Sequence, residues 1–233
     1  TGGGAWQGGV KGGRGGKIRI LAGMGEGSLI QGGGGDVEFK GGASIEGTGG
    51  RILIASGSSA VASSGNINIQ SSSAQGSGSG DVYLRTGEAE SEQSGSILLQ
   101  TGSSIKNKAG DIEVIVGNSG SGNGGKVSIM SGPSPTRGGD IIFSSGMGFT
   151  QASGSIAVST AKSSVSGSSG AVSIASGDSD QGSSGSVSIR TGSSVHSAPS
   201  GAISISTGNA QLSTGGSIKV AAGTTSGNFA RGG

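Results

Sequence analysis

The chain has 233 residues, 55 of them glycine, and carries 15 basic against 13 acidic side chains for a net charge of +2. Hydrophobic residues make up 30% and aromatics 3%, too few for the thick core of a globular domain of this length. Having no cysteine, it excludes a disulfide framework and any Cys-based metal site, and its interspersed charges leave no nucleic-acid footprint.

Residues 1–15 read as a glycine-rich lead-in or cap, with Trp6, Lys11 and Arg14 ahead of Lys17 and Arg19. A chain that opens on Thr1 without a signal-like stretch is expected to be a mature form or a piece of something longer. No run of eighteen apolar residues would span a membrane.

From Gly16 to Gly223 the chain is a tandem repeat. Leading glycines stand at Gly16, Gly35, Gly50, Gly65, Gly80, Gly95, Gly110, Gly125, Gly139, Gly154, Gly170, Gly185, Gly201 and Gly216, and after one 19-residue step every spacing is 14, 15 or 16. Two residues on, an unbroken apolar column reads Ile18, Val37, Ile52, Ile67, Val82, Ile97, Ile112, Val127, Ile141, Ile156, Val172, Val187, Ile203 and Ile218. Four residues on, a second reads Ile20, Phe39, Ile54, Ile69, Leu84, Leu99, Val114, Ile129, Phe143, Val158, Ile174, Ile189, Ile205 and Val220.

Period-two alternation of β-branched residues predicts one strand per repeat with one face buried. A second glycine closes twelve of the fourteen segments, Ser72 and Ala161 being the exceptions, and the two glycine columns are expected to mark turns. The residue before it is Ser or Thr in ten repeats, among them Ser56, Thr86, Thr101 and Thr207, facing inward by alternation. Each repeat ends in a polar limb of Ser, Gly, Asn and Asp with few apolar residues, such as Ile45, Val61, Ile105, Phe149, Val165, Val195 and Leu212. Such a limb can run back roughly 20 Å and close a coil.

These features predict an all-β, single-domain β-solenoid, parallel β-helix-like, of about 14 coils and about 15 residues per repeat, flanked by the lead-in and by a tail at 224–233. Its core would be the two apolar columns. Stacking at about 4.8 Å per coil would make a rod roughly 65 to 70 Å long. The alternative is an antiparallel meander in which the limb is itself a strand. Composition taken alone would read as a disordered Gly/Ser linker, which the two unbroken columns oppose.

Candidate chemistry is sparse. Asp36, Asp81, Asp111 and Asp140 follow leading glycines and read as solvated strand-start residues. Glu88, Glu90 and Glu92, with the pair Asp178 and Asp180, lack the acid in every copy that calcium-binding repeats show. His196 is the only histidine and lies in a limb beside Ala198 and Pro199. The glycine runs at 12–16 and 32–35 lack the Lys, Ser/Thr and helix of a phosphate loop. No catalytic residue, cofactor or metal ligand is expected, and the chain is not read as an enzyme.

A gradient runs along the outward positions. Early segments carry large or charged residues such as Glu38, Lys40, Arg51, Tyr83 and Arg85; later ones carry Ala and Ser, including Ala157, Ser173, Ser188 and Ser204. Those four are the candidate lateral contacts of a flat face on which another sheet can pack closely.

The stretch 168–192, SSGAVSIASGDSDQGSSGSVSIRTG, resembles Gly/Ser-rich short tandem-repeat surface proteins of the algal, diatom-like kind, and more loosely glycine-rich repeats of phage tail fibres. That resemblance implies an extracellular or cell-surface structural role and no ligand residue. The expected function is thus an extracellular rod or filament subunit, self-associating into a homo-oligomer through solenoid ends and the Ala/Ser face. The alternatives are an ice- or carbohydrate-binding solenoid, with a polysaccharide as partner, or a phage or adhesin fibre segment.

Overall fold

A computed structural model describes residues 15–26, 33–164 and 167–225. Most of the lead-in, with Trp6, Lys11 and Arg14, lies outside the described residues, as do Val165 and the tail from 226 onward. The chain divides into two units, Thr1–Ile115 and Val116–Gly233, and the same local plan is found in each.

That plan is not a solenoid. Among the described residues there is no helix and no strand, and the predicted β-solenoid of about 14 coils is corrected by a single recurring distance. A coil requires each limb to run back from the end of one strand to the start of the next, a span of roughly 20 Å. Instead the limb closes on itself: the Gly65 N–H donates to the Gly57 carbonyl at 2.9 Å, so the end of one apolar segment sits against the start of the next. The same bond joins Gly50 to Gly42 at 2.8 Å, Gly139 to Gly132 at 3.1 Å, Gly154 to Gly146 at 2.9 Å and Gly35 to Gly23 at 2.9 Å. With each of these limbs closed at its base and no strand in any described segment, neighbouring segments form no β-ladder. The antiparallel meander is not seen either, because the limb is a bent loop and not a strand; bends fall at its centre, as at 60–62, 90–92, 105–107 and 180–182.

The leading glycines serve close approach. From Gly35 onward a Cβ on each would come within 4 Å of the residue six places after the preceding leading glycine, while one on Gly16 meets nothing. A Cβ on Gly95 would come 3.3 Å from Thr86 Cγ2, one on Gly125 2.7 Å from Val116 Cγ1, and one on Gly139 2.5 Å from Ser131 Oγ. Real Cβ atoms do not tolerate the last two separations without a shift of the neighbour. The second glycines are different: a Cβ on Gly57, Gly87, Gly102, Gly177 or Gly208 meets nothing within 4 Å. Positive φ occurs among the described residues at one glycine only, Gly122 at 81°, which lies inside a limb and in neither column. Thr86, Thr101 and Thr207 turn Cβ and Cγ2 toward the place a Cβ on Gly95, Gly110 or Gly216 would occupy, whereas Ser131 turns its Oγ toward that of Gly139.

No described residue is buried. The chain exposes 24058 Å², whereas a folded monomer of 21.9 kDa would expose about 9300 Å² and a fully extended chain about 32000 Å². The two columns from Ile18 and Ile20 to Ile218 and Val220 therefore enclose no interior within one copy of the chain.

Candidate interaction surface

Alternation survives the loss of the sheet. Where three aliphatic or aromatic residues follow in one segment, as at Ile141, Ile142 and Phe143, their exposures are 48%, 82% and 70%, so the outer two share the more sheltered side. In every repeat but the first, where Ile18 is the more exposed, the first apolar column is the more sheltered of the two: Ile52 is 53% exposed beside Ile54 at 69%, and Val187 53% beside Ile189 at 72%. At the limb bends, Ile45, Val61, Ile105 and Leu212 stand free of the rest of the chain. Within each segment, therefore, the paired apolar residues lie to one side and the variable outward positions to the other.

The limbs hold themselves in shape, by a column the sequence reading missed. Nine residues after the leading glycine stand Ser44, Ser59, Ser104 and Ser179, whose Oγ atoms accept the N–H three residues on, from Gly47, Ala62, Asn107 and Gly182, at 2.9 to 3.1 Å. Ser134 accepts from the Thr136 N–H at 3.2 Å, while Ser119 and Ser194 at the same place donate to the carbonyls of Ser121 and His196. A hydroxyl bonded to nearby backbone is the usual device for bending a chain without a helix or sheet. The signal was legible as a serine at fixed offset from the leading glycine, hidden among the many other serines of the limbs.

Among the sequence-predicted polar residues, Asp81 accepts the Tyr83 hydroxyl proton at 2.7 Å, and Arg85 lies 5.8 Å from the Tyr83 ring centroid, so three outward positions of one segment act together. The Asp81 carboxylate, aided slightly by desolvation, raises the Tyr83 pKa above its ordinary value. Asp111 pairs with Lys108 at 2.7 Å and Asp140 with Arg137 at 3.0 Å, each bridge crossing from one limb to the start of the next segment. Glu88, Glu90 and Glu92 are exposed and make no ion pair among the described residues, and Asp178 and Asp180 are likewise exposed. His196 lies in its limb bend, where its carbonyl accepts both Ser194 Oγ and the Ala198 N–H.

Ala157, Ser173, Ser188 and Ser204 are all exposed, on the outward side of four segments of the unit Val116–Gly233. With no strand beneath them they do not form the flat sheet face expected of a solenoid. Among the described residues no three His, Asp or Glu side chains converge on a metal-sized site, no pocket is enclosed, and no helix is long and apolar enough to cross a membrane. No family model, curated protein or solved structure matches this chain.

Proposed function

We propose that this chain is an extracellular structural protein, a filament subunit that self-associates with copies of itself through its apolar segments. One observation carries the reading: fourteen unbroken pairs of apolar residues occur in a chain that buries none of them. A disordered linker has no use for such columns, since drift in phase would cost it nothing. In a chain that keeps them they represent apolar surface to be covered, worth about 2 kcal/mol for each large aliphatic side chain removed from water. The period of about 15 residues selects the partner, because only a second chain with the same period meets the columns along its whole length. Unpaired backbone N–H and C=O groups in the segments, solvated in one copy, become the hydrogen-bonding edge for the next.

Sedimentation and far-ultraviolet circular dichroism across a range of protein concentration test the proposal. Assembly is expected to appear together with a β-type spectrum as concentration rises, and electron microscopy is expected to show filaments with a regular repeat. A strictly monomeric species at high concentration, with no change in spectrum, would overturn it.

A further inference from the structure

We propose that neighbouring chains in the assembly run parallel and are displaced by one repeat, the displacement being set by charge. This rests on the self-association reading above and specifies its register. The apolar columns recur in all fourteen repeats and the differences in spacing lie in the limb loops, so an offset by a whole number of repeats still sets apolar segment on apolar segment. Register must then come from residues that do not repeat, as charged flanks fix pairing in other repetitive assemblies.

Counted from one leading glycine to the next, the sign of the net charge alternates without a break over eight repeats. The repeat at Gly80 is negative, through Glu88, Glu90 and Glu92, and that at Gly95 is positive, through Lys106 and Lys108. The one at Gly110 is negative (Asp111, Glu113) and the one at Gly125 positive (Lys126, Arg137). Gly139 opens a negative repeat (Asp140), Gly154 a positive one (Lys162), Gly170 a negative one (Asp178, Asp180) and Gly185 a positive one (Arg190).

Pairing within the chain uses only part of this pattern. Lys108 meets Asp111 and Arg137 meets Asp140, both between exposed side chains. Among the described residues Glu88, Glu90, Glu92 and Lys106 make no ion pair, although their limbs are successive. Two parallel chains in register would set each repeat on its own like charge, with three glutamates facing three. A shift of one repeat sets the acidic limb 88–94 over the basic limb 103–109 and every other repeat of the run over its opposite, leaving a single repeat unmatched at each end. A shift of two restores like on like.

The displacement also explains growth. Translation by one repeat is a heterologous contact that does not close, so every added chain leaves the same surface free for the next and the array stays open-ended.

The chain contains no cysteine, so introduced thiols are unique. Ser94→Cys and Ala109→Cys occupy equivalent exposed places one repeat apart. When the two variants are mixed, assembled at low salt and oxidised, the 94–109 disulfide is expected to exceed the 94–94 and 109–109 disulfides by about tenfold. The excess should fall to near unity at 1 M salt, where the screening length is about 3 Å, and drop about threefold in Glu88→Gln/Glu90→Gln/Glu92→Gln chains. Assembled chains giving equal or predominantly like-with-like disulfides, or none, overturn the one-repeat displacement and leave self-association standing. Chains that sediment as monomers overturn both.

Discussion

The apolar segments and the limbs of this chain divide order between them in an unexpected way. The segments are the regular part: fourteen copies keep the same two apolar columns, yet within one copy they contain no strand and cover none of those residues. The limbs are the variable part, differing in length and charge, yet they carry the Oγ-to-backbone bonds and the central bends. The difference lies in the range of the interactions. A serine hydroxyl finds its backbone partner three residues away and needs nothing else, whereas an apolar column is satisfied only by other apolar surface, which one thin chain does not supply. The locally complete region can vary in sequence; the incomplete one repeats because it is complementary to something else.

The comparison is broken most forcefully in the segments. Ile97→Asp places a charge in the first apolar column, and covering an unpaired carboxylate costs several kcal/mol; the concentration needed for assembly, read by sedimentation, should rise at least about a hundredfold. Two residues inserted after Ser179, in a limb, should cost about 1 kcal/mol, chiefly by displacing the Gly182 N–H from Ser179 Oγ. Equal effects from the two changes would show that segments and limbs are not distinct.

The two glycine columns sharpen the same contrast. Gly125→Ala brings its Cβ within 2.7 Å of Val116 Cγ1, and the required shift should lower the stability of the assembly by about 1 to 3 kcal/mol. Gly177→Ala meets nothing within 4 Å, and its melting temperature should stay close to that of the parent. If both behaved alike, close approach at the limb base would not be the reason for the leading glycine.

A smaller effect is expected at the limb staple. Ser104→Ala removes the acceptor of the Asn107 N–H, worth about 1 kcal/mol, and that amide should exchange with solvent several times faster while amides of the neighbouring limbs do not change. The smallest concerns the outward side of one segment. Tyr83 is the only tyrosine, so tyrosinate absorption reports it alone. Its raised pKa means that the Asp81 bond is fully present below the ordinary tyrosine range and is lost as pH climbs through the raised value. Asp81→Asn should move the titration back down toward about 10; an unchanged titration would remove Asp81 as the cause.

Particular residues show how far the sequence could be read. The alternation of Ile141, Ile142 and Phe143 was legible, and their exposures follow it. The serine column at Ser44, Ser59, Ser104 and Ser179 was not, because serine is so frequent in the limbs that a fixed offset does not stand out. The limb's path was misread: its length allows a return of roughly 20 Å and equally allows a loop closed at its base, and residue count cannot separate the two. The Gly65 N–H on the Gly57 carbonyl does.

By itself the sequence determined the period, the two apolar columns, the places of glycine and the thinness of any core, since these follow from residue type and spacing. It also carried the alternation of charge from repeat to repeat. Only the tertiary structure decided that limbs close on their own base, that leading glycines from Gly35 on stand close to the end of the preceding segment, and that a single copy leaves its apolar columns in water. Those are matters of which distant groups meet. In a chain of near-identical repeats every apolar column matches every other, so pattern gives the set of available contacts and three-dimensional closure selects among them.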